Sequence, residues 1–272
     1  MWVSTDASTV RTMAEEVHLE RGSGRATITL DRPERKNSLG PELVDTLARH
    51  LDTAIADESV RVIVLTNTGN TFCAGADLKA TQPGPEDTAG PERRTFVDVF
   101  GLMLDSPKPV VGRIAGHCTG GGVGLAAACD ISIVADDALI GFTEVRLGVA
   151  PAVISVVVLP KLRRADALEM FMTGDRHTAA RAVEVGLLNR VVPRRKLDSA
   201  IDELVGQLML GGPNAVTAAK RMVFDVPGRD RAEAFEEMSA LSLTLFRSEE
   251  AAAGIAAFNA RHPPPWAPGG SG

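Results

Sequence analysis

The chain lacks an excess of positive charge and long apolar runs, and each absence excludes a class of protein. Its 272 residues carry a formal net charge of −6, so the composition predicts neither a nucleic-acid partner nor an anionic membrane surface. No segment reaches the roughly 18 uninterrupted apolar residues of a membrane span. An anionic ligand would therefore need a local cluster of basic side chains.

Cysteine is also scarce, and its spacing argues against disulfides and metal sites. The three cysteines are Cys73, Cys118 and Cys129, which cannot all pair with one another and form no Cys-x-x-Cys motif. No spacing of histidine and cysteine indicates zinc, so no metal is expected. Reduced thiols are typical of the cytosol, and we therefore expect a cytoplasmic protein.

The pattern of the first two thirds of the chain predicts an α/β fold. Residues 1–13 are rich in Ser and Thr without an apolar signal core, which predicts a disordered leader. The continuous apolar run at 62–66 is typical of a strand covered on both faces, and residues 109–114 are predicted to be the next buried strand. Because such runs alternate with helical patterns, residues 14–195 are expected to form a mainly parallel sheet with helices packed outside.

The last third has a different pattern. Across residues 196–262, apolar residues recur at helical spacing, and Gly211-Gly212-Pro213 separates one helix from the next. This stretch is therefore predicted to be an all-helical appendage. The tail, residues 263–272, is rich in Pro and Gly, which predicts disorder.

Two turns made of small residues, at 73–78 and within 114–125, each follow an apolar strand. Each turn should open a helix, leaving backbone N–H groups unpaired with the positive end of the helix dipole behind them. Two such turns side by side would stabilise an oxygen that becomes negatively charged, as enolate chemistry on a thioester requires. Glu144, in the segment Gly-Phe-Thr-Glu-Val-Arg-Leu-Gly, is the candidate for proton transfer.

These motifs also have other interpretations. Residues 120–124 could form a plain tight turn or a phosphate loop, but they lack both the dinucleotide-binding spacing and the Lys-Ser/Thr ending of a P-loop. Glu144 alone could be a solvated charge at the end of a strand. Its combination with two amide-bearing turns favours the catalytic interpretation.

Three segments, at 71–79, 116–130 and 142–148, resemble in this order the enoyl-CoA hydratase/isomerase (crotonase) superfamily. The resemblance extends over about residues 17–261. It implies a crotonase-like spiral of ββα units with a C-terminal helical region, at 196–262, that takes part in trimerisation. It further implies an acyl-CoA thioester substrate, no cofactor beyond the coenzyme A of that substrate, and a homotrimer or a dimer of trimers.

Position by position, the resemblance implies that the backbone N–H groups of Ala76 and Gly121 form the oxyanion hole and that Glu144 is catalytic. It also implies a set of substrate-binding residues from the same segments, a preceding loop and the C-terminal end. These are Lys36, Ser38, Ala74, Asp77, Leu78, Lys79, His117, Gly120, Gly124, Thr143 and Arg261.

Some of these residues have a structural alternative. His117 is expected to pack against the wall of the site rather than act in catalysis, and Asp77 to cap the helix after its turn. Lys36 and Lys79 are the first candidates for contacts with the phosphates of coenzyme A, although such residues are often ordinary surface charges.

One position departs from the two-glutamate hydratases of the superfamily. Where they carry a glutamate in the helix after the glycine-rich turn, this chain has Gly124, which cannot transfer a proton. We expect this glycine to leave room for a branched or bulky acyl chain, or for a water.

A single acid leaves three functions open. The first is a hydratase-like lyase that adds water to a 2-enoyl-CoA, the second a Δ3,Δ2-enoyl-CoA isomerase, and the third a non-catalytic acyl-CoA-binding protein. The segment around Glu144 also resembles the 3-methylglutaconyl-CoA hydratases. Such a substrate carries a distal carboxylate, which Arg146 could bind.

Overall fold

The computed structural model describes residues 16–77 and 93–268, and the following account concerns these residues. The predicted leader at 1–13 lies outside them, as do the predicted site residues Leu78 and Lys79. Residues 269–272 of the predicted tail also lie outside. In the part described, no helix combines the length and the apolar character needed to cross a membrane.

The described residues contain ten strands in two sheets. The strands are β1 (Val17–Gly22), β2 (Arg25–Leu30), β3 (Val62–Asn67), β4 (Thr71–Cys73), β5 (Val110–Ile114), β6 (His117–Thr119), β7 (Ile131–Ala135), β8 (Leu139–Gly141), β9 (Arg176–Thr178) and β10 (Arg190–Val192). The larger sheet has the order β1-β2-β3-β5-β7-β10, and the smaller one has the order β4-β6-β8-β9. Apart from the antiparallel pair of β1 and β2, the larger sheet is parallel, as predicted.

Ten α-helices accompany these strands in the described residues. They are α1 (Pro41–Ala56), α2 (Phe96–Asp105), α3 (Gly121–Ala128), α4 (Ala152–Val158), α5 (Arg164–Thr173), α6 (Ala179–Glu184), α7 (Leu197–Met209), α8 (Pro213–Asp225), α9 (Arg231–Phe246) and α10 (Glu249–Ala260). The last four make up the helical C-terminal region. α1 begins with Pro41 at its first position, where the missing N–H costs no hydrogen bond.

Both faces of the larger sheet are covered. Every residue of β3 is buried, and its side chains alternate between two apolar clusters. Ile63 and Leu65 pack into the cluster that contains α1, α2 and α3, whereas Val62 and Val64 pack against α7. This two-sided burial explains why β3 begins with four consecutive apolar residues.

The tail does not follow its predicted disorder. In residues 263–268, the indole Nε1 of Trp266 donates a hydrogen bond to the carbonyl oxygen of Leu210 at 2.9 Å, and Ala267 is buried. Arg61 donates to the carbonyl oxygen of Trp266 at 3.2 Å. The prediction was wrong here because one aromatic side chain with a polar atom fixes a segment of turn composition.

Candidate active site

The two predicted turns lie directly against each other. β4 and β6 are parallel neighbours, so the turns that follow them lie at the same edge of the smaller sheet. Gly75 has a positive φ of 85°, and a Cβ added to it would lie 2.8 Å from the oxygen of Thr119 and 2.9 Å from the nitrogen of Gly121. Only glycine permits this approach of one turn to the other.

The amides of Ala76 and Gly121 are available at this junction. Gly121 is the first residue of α3, where a helix leaves its N–H groups without intrahelical acceptors. Within residues 16–77 and 93–268, neither amide donates a hydrogen bond. The amide of Leu39 donates to the carbonyl oxygen of Gly75 at 2.8 Å, and the amide of Asp77 donates to the carbonyl oxygen of Leu39 at 3.3 Å. These two bonds hold Ala76 in place while its own N–H stays available.

A side-chain hydrogen bond joins the two turns. The hydroxyl of Thr119, at the end of β6, donates to the carbonyl oxygen of Ala74 at 3.0 Å. The amide of Ala74 in turn donates to the carbonyl oxygen of Lys36 at 3.0 Å, and the amide of Gly120 donates to the oxygen of Gly141 at 3.1 Å. The backbone around the junction is therefore fixed from both turns and from the strand β8.

Glu144 lies beside these amides, in a short 3₁₀ helix at Thr143–Leu147 that follows β8. A Cβ added to Gly120 would lie 3.3 Å from the Oε1 of Glu144. The Oε2 is buried without a hydrogen-bond partner in the described part of the chain. Burial of the carboxyl group raises the pKa of Glu144 above its ordinary value. A carboxylate with one such free oxygen at this place is suited to accept and return a proton.

A cleft of about 420 Å³ contains both turns and Glu144. Glu144 is the only ionisable group among the described residues that line it. The remaining lining consists of small residues, Thr143 and apolar side chains: Leu39, Val44, Phe96, Leu147, Val149, Val153 and Ile154. The cleft is therefore an apolar pocket with one acid and a pair of amide donors at its end.

Comparisons with known proteins agree with this geometry. The sequence model described as enoyl-CoA hydratase/isomerase matches residues 20–269 of the chain. This chain belongs to the enoyl-CoA hydratase/isomerase family.

Individual relatives of this family cover nearly the whole chain. The carnitinyl-CoA dehydratase of Escherichia coli (strain K12) is 33% identical over 263 residues, which is 93% of this chain and 99% of that protein. The crystal structure of enoyl-CoA hydratase from Mycobacterium smegmatis superposes with a TM-score of 0.86 at 29% identity, covering 93% of this chain and 99% of the other. An enoyl-CoA hydratase structure from Mycobacterium tuberculosis H37Rv gives 0.82 at 31% identity, with coverages of 92% and 97%. These structures confirm the predicted crotonase-like fold.

The space expected at Gly124 is absent from this member of the family. A Cβ at position 124 would lie 2.4 Å from Cγ2 of Ile154 and 3.0 Å from Cζ of Phe100. Ile154 comes from α4, which packs across α3, and its side chain is only 4% exposed. The expectation of room for an acyl branch or a water at Gly124 was therefore wrong. The local sequence around position 124 does not indicate that Ile154, 30 residues later in the chain, packs against it.

Several other predicted residues do line the cleft of this family member. Ala74, Gly120 and Thr143 lie there together with the two oxyanion-hole candidates and Glu144. Ser38 is buried directly before Leu39, a lining residue, but does not itself line the cleft.

His117 and Asp77 have structural contacts. The Nδ1 of His117 accepts a hydrogen bond from the amide of Leu139 at 3.0 Å, which ties β6 to β8, and the residue does not line the cleft. The Asp77 carboxylate is 3.3 Å from Arg35 and 3.9 Å from Arg32. The helix that Asp77 was expected to cap lies outside the described residues.

The basic residues lie at a distance from the acid. Lys36 and Arg261 are both exposed and have positive φ angles, and neither lines the cleft. A smaller cavity of about 220 Å³ is instead lined by Arg32, Arg35 and Arg93, together with the acids Glu42 and Asp77. The three arginines are not among the site residues predicted from the sequence. In the sequence, this basic region is indicated by three closely spaced cations, Arg32, Arg35 and Lys36, with Glu34 among them.

Arg146 does not face the cleft. Its guanidinium pairs with Asp175 and donates to the carbonyl oxygen of Thr173. Arg146 is therefore engaged on the side of α5 and is not placed to bind a carboxylate of the substrate. The resemblance to 3-methylglutaconyl-CoA hydratases stays a prediction without support from this residue.

Proposed function

We propose that this member of the family is a hydratase-type lyase that adds water to, or removes it from, a 2-enoyl-CoA thioester. The observation that carries the proposal is the position of Glu144, whose Oε1 would lie 3.3 Å from a Cβ on Gly120, at the start of the helix with the available Gly121 amide. A related protein at 33% identity is named carnitinyl-CoA dehydratase, and dehydration of a CoA thioester is the reverse of the proposed reaction.

The proposed mechanism uses the chain's own groups. The amides of Ala76 and Gly121 donate to the thioester oxygen, which becomes negatively charged as an enolate forms. Glu144 takes a proton from water while the water oxygen bonds to C3 of the acyl chain. The same carboxyl group then returns a proton to C2, so that the elements of one water molecule are added in total.

We further propose that the acyl group is uncharged. Of the described side chains that line the cleft, all except Glu144 and Thr143 are apolar or small. A carboxylate on the acyl chain would be desolvated there with no cation among these described residues to compensate for it, which is costly. A carboxylated substrate is therefore disfavoured relative to an uncharged hydrocarbon chain.

A second candidate function is Δ3,Δ2-enoyl-CoA isomerisation. Ile154 and Phe100 occupy the space in which a second acid would have to lie, and Glu144 is the one carboxyl group among the described residues that line the cleft. Isomerisation needs one group that removes a proton from one carbon and returns it to another, and no activated water. An apolar wall opposite Glu144 favours this alternative.

One assay separates these functions from a non-catalytic role. The protein is incubated with straight-chain 2-enoyl-CoA and 3-enoyl-CoA, and the absorbance of the conjugated thioester is followed. A hydratase lowers the absorbance of the first substrate, and an isomerase raises that of the second. Binding without any change in absorbance would support only an acyl-CoA-binding protein.

The test variant is Glu144→Gln, and its matched control is Glu58→Gln. Glu58 is exposed and does not line the cleft, so its substitution should leave the rate unchanged. Loss of Glu144 should lower the rate by at least about a hundredfold, the lower range for general acid–base catalysis. Equal activity of both variants would refute the proposed role of Glu144.

We also propose a cytoplasmic homotrimer or dimer of trimers. All three cysteines are free and buried, which suits a reducing compartment. For coenzyme A, we propose that Lys36 and the arginines beside Asp77 supply the local basic cluster that an acidic protein needs.

A further inference from the structure

Ile154 lines the active-site cleft beside Gly124 of α3. Gly124 lies three residues after Gly121, so a side chain at 124 would project from the same face of the helix as the oxyanion turn. Ile154 lines the cleft, whereas Gly124 does not. The side chain that meets the acyl group here therefore comes from α4 instead of α3.

The two positions exclude each other sterically. A Cβ at residue 124 would approach Cγ2 of Ile154 to 2.4 Å and its Cβ to 2.8 Å. The same Cβ would lie 3.0 Å from Cζ of Phe100. Since the interior is closely packed, a larger residue at 124 requires a smaller one at 154.

We infer that Ile154, with Gly124 beneath it, is a specificity-determining residue that closes the acyl end of the cleft against branched or bulky chains. The inference rests on the proposed function, since it concerns the acyl part of the same thioester. Its ligand class is an acyl-CoA with a short, unbranched hydrocarbon chain. Removing atoms from residue 154 should open a dry pocket that a methyl branch can fill.

The experiment measures binding separately from turnover. Isothermal titration with butanoyl-CoA and 3-methylbutanoyl-CoA, both saturated and unable to react, gives a ratio of dissociation constants for each variant. The variants are Ile154→Ala, the smaller change Ile154→Val, Gly124→Ala and the double variant Gly124→Ala/Ile154→Ala. Turnover of the matching 2-enoyl-CoA thioesters is measured in parallel.

Ile154→Ala should shift the binding ratio toward the branched thioester by about fourfold per methyl group accommodated. Ile154→Val should shift it in the same direction by less. Gly124→Ala should lower the thermal midpoint, and the added Ile154→Ala change should restore part of it, since the two residues are coupled through one space. The matched control is Ile201→Ala, a buried isoleucine on the other side of the sheet, which should leave the ratio unchanged.

An unchanged ratio in folded Ile154→Ala and Ile154→Val would overturn the inference, as would a Gly124→Ala variant as stable as the parent. If the saturated thioesters bind with the expected shift but no enoyl-CoA is turned over, the proposed function fails and the specificity inference stands. If no variant binds any of the thioesters, both fail.

Discussion

Glu144 is held where its negative charge opposes folding. Its carboxyl group is partly buried, and burial raises its pKa above that of an exposed glutamate. The unfolded chain has the lower pKa, so ionisation of Glu144 destabilises the folded state at every pH above that lower value. Active sites commonly retain such groups at a cost in stability.

We therefore expect Glu144→Gln to be more stable than the parent at pH 8. The gain should shrink as the pH falls through the folded-state pKa and vanish below the unfolded-state pKa, where both forms are neutral. Thermal midpoints at pH 8 and pH 4 test this, with Glu58→Gln as the control that should show no such difference. A midpoint lowered by Glu144→Gln at pH 8 would contradict the conclusion that burial makes the ionised carboxylate unfavourable for folding.

Thr119 is expected to position the oxyanion hole without touching the substrate. Thr119→Val removes the donor to Ala74 while keeping the shape of the side chain. We expect kcat to fall about tenfold, less than the hundredfold typical of losing an oxyanion donor, with KM unchanged. Thr119→Ser should recover most of kcat, because it keeps the hydroxyl.

The matched control is Thr53→Val on α1, whose hydroxyl donates to the oxygen of Arg49 on the protein surface. Steady-state kinetics on the same enoyl-CoA substrate provides the comparison. A fall in kcat equal for Thr119→Val and Thr119→Ser, or a change confined to KM, would show that the hydroxyl does not position the turns.

At the scale of single residues, the local sequence predicts two amide-bearing turns and an acid but not what surrounds them. The family resemblance adds Ala76 and Gly121 as the amide donors, and the structure brings both residues to one cleft with Glu144. What fills the space above Gly124 depends on how α4 crosses α3, which is a tertiary contact between residues 30 apart. No pattern near position 124 encodes that contact.

At the scale of elements, α8 begins with a cap supplied by another helix. Glu250, in the first turn of α10, accepts hydrogen bonds at 3.0 Å from the amides of Asn214 and Ala215. A carboxylate at a helix N-terminus satisfies unpaired N–H groups and interacts favourably with the helix dipole. This contact joins α8 to α10.

Glu250→Gln should therefore lower stability by about 1 kcal/mol, a typical cost for a weakened cap. Its neighbour Glu249 is exposed, and Glu249→Gln serves as the control with little expected change. The free energy of unfolding in urea measures both. Equal stability of the two variants would show that the carboxylate charge contributes nothing to the α8–α10 contact.

Elements buried on both faces were the most predictable from sequence, and the tail was the least. The run at 62–66 has the unbroken apolar character that two covered faces demand, and it forms β3. Residues 263–268 depend on one indole that reaches Leu210, more than 50 residues earlier in the chain. The amino-acid composition does not reveal such a single contact, so the Pro- and Gly-rich tail predicts disorder where the structure is ordered.

At the scale of the whole molecule, the C-terminal helices lack a covering surface. Of the described residues in α8, α9 and α10, none is buried in the single chain. Large apolar side chains instead face outward, among them Phe235 at 68%, Phe246 at 71% and Phe258 at 82% exposure. Exposed patches of this kind mark association surfaces, because burying each phenylalanine contributes about 1.5–3 kcal/mol.

We expect this surface to bind further copies of the same chain. Light scattering coupled to gel filtration should give a mass of three times 28.7 kDa, or a multiple of that mass. The double variant Phe246→Asp/Phe258→Asp places charges on the apolar surface and should yield smaller species, since an unpaired carboxylate resists burial. Val97→Asp, on α2 and 61% exposed, controls for the added charge and should keep the parent mass. A parent protein that elutes as a monomer at micromolar concentration would refute self-association and would require another kind of partner to cover these helices.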